Sequence, residues 1–171
     1  MTKFTHFSYD EFVAAVLALG EQVRTGDWRP DFLIGIGRGG LTPAVFLSHA
    51  IDIPMLSVDV SAHVPAFHED LLAKLAERTR AGEKLLLVDD INDSGATIKA
   101  LRDGMMRAGA IADHLRFATV LDNVRSIERV DYAFRSLDRE TQKDWFIFPW
   151  ESVAPAAQLQ ADADAVPERI A

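Results

Sequence analysis

At 171 residues the chain is long enough for one domain with a sizeable core and short for two. Hydrophobic residues make up 49% of it, so it is expected to fold rather than stay disordered. A formal charge of −8 argues against a mainly electrostatic nucleic-acid binder, and the lack of any cysteine excludes disulfides and thiolate metal sites.

The first twelve residues have no apolar signal-peptide core, and no run is long and apolar enough to span a bilayer. A cytoplasmic protein with no membrane partner is the expectation. Ser8 and Glu11 are spaced as the capping box of a first helix, with Phe7 and Phe12 placed for a hydrophobic staple. Phe12, Val16, Leu19 and Val23 then follow along one helical face. Asp31 to Gly37 reads as a short apolar strand ending in glycine, Leu41 to Ala50 as a helix, and Met55 to Val60 as a second strand. Residues 68–84 form a polar helical or mobile stretch. Lys84 to Asp90 is a third strand, its hydrophobicity continuous over Leu85 to Val88 as in a strand covered on both faces. Ile98, Leu101 and Met105 mark the buried face of a further helix that Gly109 can end, and Leu115 to Asp122 is a fourth strand. Beyond residue 152 the chain is alanine-rich without apolar periodicity, which suggests a peripheral tail over 153–171. No internal repeat is visible.

Strands alternating with helices imply an α/β fold: a Rossmann-like parallel sheet with right-handed crossovers and helices on both faces. Such sheets bind ligands at the carboxyl ends of their strands. Both glycine-bearing segments, GIGRGG at 35–40 and DDINDSGAT at 89–97, lie at such ends. In the second, Asp93 to Thr97 would wrap from strand into helix, with Gly95 letting the backbone approach a ligand and the first helical N–H groups unpaired, a site for phosphate. Ser94 and Thr97 add hydroxyl donors, while Asp89 and Asp90 would repel a phosphate beside them. Those acids suit vicinal hydroxyls or a divalent cation, so a phosphorylated sugar with a metal satisfies the whole segment, leaving Asp93 for proton transfer. A plain reading of the acid pair is a solvated helix N-cap. A calcium loop starting at Asp90 fails at its twelfth position, where Leu101 stands in place of a bidentate glutamate.

VDDINDSGAT, residues 88–97, resembles the phosphoribosyl-pyrophosphate (PRPP) motif of the type I phosphoribosyltransferases, with Ser94 where the family usually has threonine. The resemblance implies that Asp89 and Asp90 hold the ribose hydroxyls and that Ser94, Gly95, Ala96 and Thr97 cradle the 5′-phosphate. It further implies that Asp93 handles a proton on purine N7, and that Mg2+ serves as cofactor near Asp90 and Glu151. GIGRGG is similar to the family's pyrophosphate loop, with Arg38 and Gly39 facing the anion; the peptide there is often cis in the family. KDWFIFPWES, residues 143–152, is similar to the end of bacterial and archaeal xanthine, guanine and hypoxanthine phosphoribosyltransferases. There Trp145 would stack on the base and the Phe146 backbone would face its edge, while Phe148 and Trp150 read as packing. Asn123 stands where that subgroup has a lysine for the purine 6-oxo group, so a 6-oxopurine, adenine and an unusual base all stay open.

Residues 1–152 are then expected to be one domain, with a small hood for base recognition over about 123–152 and a segment within Val60 to Gly82 that closes over the site. His63, His68, Lys74 and Arg78 fall in that segment without an assigned role. The implied function is transfer of phosphoribose from PRPP to a purine by a homo-oligomer, most simply a homodimer. The alternatives are a non-catalytic PRPP- or nucleotide-sensing regulator and a phosphoribosyltransferase for another base.

Overall fold

The computed structural model of the protein describes residues 3–59 and 65–165. Its elements run β1 (Phe4–His6), α1 (Tyr9–Thr25), β2 (Phe32–Ile36), α2 (Gly37–Ile51), β3 (Met55–Val58), α3 (Pro65–Arg80), β4 (Leu85–Asn92), α4 (Ala96–Arg107), β5 (Leu115–Asn123), β6 (Tyr132–Leu137), β7 (Trp145–Ile147) and α5 (Ala156–Asp164). Five strands form one sheet in the order β3-β2-β4-β5-β6, every neighbouring pair parallel. Among the described residues no helix is long and apolar enough to cross a membrane.

Strand β4 lies at the centre and shows why its sequence is apolar without alternation. Leu86 and Val88 point into a core shared with Phe12, Val16 and Leu19 of α1 and Leu47 of α2. Leu85 and Leu87 point into a second core with Leu72 and Leu75 of α3 and Ile98, Leu101 and Met105 of α4. Both faces are therefore covered, and each fully buried leucine contributes about 1.5–3 kcal/mol relative to exposure. The cap of α1 forms as its spacing predicts: Glu11 N–H donates to Ser8 Oγ at 3.1 Å, and Ser8 N–H donates to Glu11 Oε2 at 2.9 Å. Phe7 and Phe12 share the α1 core through other rings, Phe7 against Phe148 and Phe12 against Phe46 and Trp150.

Several boundaries differ from the sequence expectation. Helix α2 starts four residues before Leu41, directly where β2 ends, so Arg38 and Gly39 sit in its first turn rather than in a free loop. All peptides among the described residues are trans. Of the segment expected to cover the site, residues 60–64, including His63, lie outside the described residues, and from Pro65 the chain is helix α3. The stretch expected as a hood, 123–152, does not stand alone: its β7 pairs in parallel with β1, aligning Phe4 with Trp145 and His6 with Ile147. The stretch after residue 152 is not wholly a tail, because Ala156–Asp164 forms α5, with Ala163 buried. Its alanines let a narrow helix lie close where larger side chains would have announced themselves.

Candidate active site

Strand β4 runs to Asn92, so Asp89 and Asp90 are still in the sheet, Asp89 opposite Thr119 of β5. Asn92 is buried and anchors the turn beyond it. Its amide donates to Asp122 Oδ1 at 2.7 Å and to the Glu128 carbonyl at 2.9 Å, and its own carbonyl accepts from Ser126 Oγ at 2.9 Å. These bonds fix the 126–128 loop against Gly95. Gly95 has φ +88°, and a Cβ there would lie 2.6 Å from Ser126 Oγ and 2.8 Å from Glu128 N. The glycine is thus required by the loop behind it as well as by the backbone conformation, more than by close approach of a ligand. Residues 89–98 enclose a hollow of about 150 Å³ at the N-terminus of α4, where Gly95 provides no side-chain cap. Ser94 Oγ accepts from the Ala96 N–H at 3.3 Å, and the other first-turn N–H groups with the positive end of the helix suit an anion there.

A larger cavity of about 630 Å³ adjoins it, lined by Arg38 and Gly39 of α2, Asp89, Asp90, Thr97 and Glu151, with α5 forming one wall. The approach of α2 to β4 depends on Gly40, where any side chain would collide with the Val88 carbonyl oxygen. Among the described residues, Arg38 is the cation lining this cavity, and it is exposed. Its acids lack enough positive charge around them. Burial pushes the Asp89 carboxyl well above the usual range, with the neighbouring Asp90 adding to the effect. Asp90 is pushed up to about 7 by burial and then by the charge of Glu151. Glu151 is itself raised by burial and by Asp162 of α5, with Arg38 opposing.

The third hollow, about 190 Å³, lies between Asp90, Asp93, Trp145, Phe146, Glu151 and Arg139. Here Asp93 is not a free carboxylate. Arg139 Nε donates to its Oδ1 at 3.0 Å and Arg139 Nη2 to its Oδ2 at 2.8 Å, both side chains almost wholly buried. Arg139 Nη1 also donates to the Asp144 carbonyl at 2.6 Å, and the guanidinium lies 5.4 Å from the Phe146 ring centre. Asn123 is not among the residues lining this hollow. Its amide donates to the Asp93 carbonyl at 3.0 Å, and its Oδ1 accepts from the backbone N–H of Arg125 at 3.1 Å and of Arg139 at 3.3 Å. It holds together the two residues that do line the pocket. Trp145 lines the hollow, with its indole N–H buried and unpartnered, and Phe146 is buried beside it. Phe148 and Trp150 stack at 4.9 Å and 7° as packing, as their sequence suggests.

The structure thus gathers Arg38, Gly39, Asp89, Asp90, Asp93, Thr97, Trp145, Phe146 and Glu151 around three adjoining hollows. Sequence reasoning missed Arg139, which sits in the polar stretch SLDRETQKD with no motif around it, and the buried amide of Asn92. The signal that could have found Asn92 is its place between two acids at a strand end, where a neutral amide is the group able both to donate and to accept.

Known proteins share this sequence pattern and fold. The phosphoribosyl transferase domain family matches residues 8–154. The xanthine-guanine phosphoribosyltransferase of Cereibacter sphaeroides is 31% identical over 156 residues, spanning 85% of this chain and 86% of its own. That of Idiomarina loihiensis is 33% identical over 122 residues, 70% of each chain. The crystal structure of a purine phosphoribosyltransferase from Pyrococcus horikoshii shares the fold, with a TM-score of 0.66 at 24% identity over 89% of this chain and 97% of that one. A family match across nearly the whole described domain, on a sheet whose strand ends carry these acids, makes the chain a member of the phosphoribosyltransferase family.

Proposed function

We propose that the protein transfers the 5-phosphoribosyl group of PRPP to a purine base, releasing pyrophosphate and a nucleoside monophosphate. The observation that carries this reading is the adjacency of three hollows of different chemistry. The N-terminus of α4 suits the 5′-phosphate, an Arg38-bearing cavity floored by acids suits the pyrophosphate and diol, and an aromatic pocket with a carboxylate suits the base. The relatives named as xanthine-guanine phosphoribosyltransferases support the choice of base class.

The α4 N-terminus, Ser94 and Thr97 would hold the phosphate, while Asp89 and Asp90 would accept hydrogen bonds from the ribose hydroxyls. As the bond from the anomeric carbon to pyrophosphate breaks, Arg38 and the first turn of α2 would bear the negative charge growing on the leaving group. The purine ring nitrogen forms the new bond to that carbon, and the proton on N7 passes to Asp93, so charge and atoms balance. Trp145 and Phe146 would hold the ring in place and keep water out.

The donor set also fits a magnesium ion. Asp90 and Glu151 are mutually repelling, partly desolvated carboxylates, and a divalent cation would relieve both. Among the described residues no three ligating side chains gather to hold a metal unaided, which matches an ion whose remaining ligands are substrate oxygens. Bound there, it would supply neutralisation of the pyrophosphate charge.

The test is to incubate the protein with PRPP, magnesium and each free base in turn and to follow pyrophosphate release. Release with hypoxanthine, guanine or xanthine supports the reading. PRPP binding without release for any base overturns it in favour of a sensor.

A further inference from the structure

We propose that Thr119 is a positioning residue whose hydroxyl donates to the Asp89 carboxylate when a sugar diol engages that acid. The inference rests on the reading of Asp89 as a ribose acceptor and names the residue that holds it in place.

Thr119 stands in the middle of β5 with none of its surface exposed, and among the described residues its Oγ1 is a buried polar atom with no hydrogen-bond partner. A buried hydroxyl left unpaired destabilises a fold, and a valine would fill the same volume without that cost. Packing alone therefore does not account for a threonine here. Nor does direct contact with a ligand, since Thr119 lines none of the three hollows.

The sheet register shows what stands beside it. Thr119 is aligned with Asp89 of β4 on one side and with Ala133 of β6 on the other. Two residues away along its own strand are Phe117 and Leu121. Aligned side chains on neighbouring strands project from the same face, with the strands about 4.7–4.9 Å apart. Leu87 and Phe117, the aligned pair two residues earlier, both enter the core shared with α3 and α4, which places Asp89 and Thr119 on that face too. Asp89 is thus the one polar side chain among these four neighbours.

Asp89 has the complementary need. It lines the two hollows that suit the phosphate and the diol, yet it is only 9% exposed, so little water reaches its carboxyl. Its Oδ1 accepts from the Asp90 N–H at 3.0 Å. That bond places one oxygen, but the terminal torsion of an aspartate is broad, and a second donor is needed to fix the plane in which the carboxyl offers its lone pairs. Sugar hydroxyls cannot supply that alignment, because they are the groups to be aligned. In the bound arrangement the carboxyl turns about this torsion, and the Thr119 hydroxyl, whose hydrogen rotates to suit, donates to the oxygen that faces β5.

Calorimetry with ribose 5-phosphate and thermal unfolding of the ligand-free protein test this on the wild type, Thr119→Val and Thr119→Ser. Thr119→Val removes an unpaired hydroxyl at nearly constant shape, so its midpoint should rise by about 2 °C or more while its affinity for ribose 5-phosphate falls about tenfold. Thr119→Ser keeps the hydroxyl and loses a buried methyl, so its midpoint should fall while its affinity stays within about threefold of the wild type's. A purely structural role would move stability and affinity together. Affinity for inorganic phosphate, which the α4 N-terminus takes without the diol acids, should stay within about twofold in both variants.

Wild-type affinity of Thr119→Val for ribose 5-phosphate overturns the proposal, as does a lowered midpoint in that variant, which would mean that the hydroxyl is already bonded in the fold. An equal loss of affinity in Thr119→Ser, or an equal loss for inorganic phosphate, overturns it as well. A wild type that binds ribose 5-phosphate no better than inorganic phosphate refutes the reading of Asp89 as a diol acid, and this proposal with it. Because binding needs no turnover, a protein that shows the expected pattern but releases no pyrophosphate refutes the transfer reading and leaves the role of Thr119 standing.

Discussion

Asp93 and Arg139, 46 residues apart in the chain, close a two-point ion pair at 2.8 and 3.0 Å between the loop after β4 and the stretch joining β6 to β7. Such a pair fixes the carboxylate in one orientation, which serves a group that must receive a proton at a defined place. Asp93→Asn keeps the shape and removes the charge. It is expected to lower kcat at least about tenfold while leaving PRPP binding largely intact. It also strands the Arg139 cation in a buried site, a loss of about 3–5 kcal/mol where such pairs are broken. The variant should therefore also unfold at lower denaturant. Near-normal turnover would remove Asp93 from its assigned role.

Gly95 supplies a separate test of the phosphate cradle. Gly95→Ala places a methyl group where φ is +88° and where Ser126 Oγ and Glu128 N stand within 3 Å. The backbone strain alone costs about 1–3 kcal/mol, and relief would push the first turn of α4 out of line. The expected outcome is a KM for PRPP raised about tenfold or more, with the KM of the base changed much less. A variant with normal PRPP affinity would show that the turn does not hold the phosphate.

What the sequence makes legible follows from how local each signal is. The Ser8–Glu11 cap is written in four consecutive residues, and the β4 core in a run of leucines, so both appear where expected. The acids and the glycine turn are likewise contiguous, and the structure brings them to adjoining hollows with Arg38 and Glu151. Features made by distant pairing are not legible. β1 has only three residues, and its partner β7 begins 141 residues later, so neither carries a periodicity of its own. α5 is read as a tail because its buried contact is alanine. Arg139 lies among charged residues that look solvated, and only the folded chain shows it beneath Asp93.

Asn92 links two of these levels, since a strand residue holds the loop on which Gly95 packs. Asn92→Ala would leave Asp122 Oδ1, the Glu128 carbonyl and the Ser126 hydroxyl without this partner. Each buried group left unpaired costs about 1–3 kcal/mol. A loss of a few kcal/mol in denaturant unfolding is expected, together with weaker PRPP binding from the loosened loop. Asn92→Asp, which keeps the acceptor for Ser126 but puts a charge against Asp122, should be no better. Unfolding at the wild-type midpoint in both variants would show that the network contributes little.

The acid cluster predicts how stability changes with pH. An unfolded aspartate titrates near its ordinary value of 3.8, whereas Asp90 in the folded protein is pushed up to about 7 and Asp89 is also raised well above that ordinary value by burial. The folded state therefore holds protons that the unfolded chain has released, and stability must fall as pH rises from about 4 through about 7. Asp90→Asn removes one of these ionisations and the repulsion it exerts on Asp89 and Glu151, so its thermal midpoint should depend less on pH over that window and exceed the wild type's at pH 8. If magnesium and PRPP engage the ionised acids as proposed, together they should raise the wild-type midpoint more at pH 8 than at pH 5.5. Thermal unfolding of both proteins across this range, with and without the two ligands, checks the chain of argument. Identical pH slopes for wild type and Asp90→Asn would mean that the acids at the end of β4 are not the strained charges that the cavity makes them.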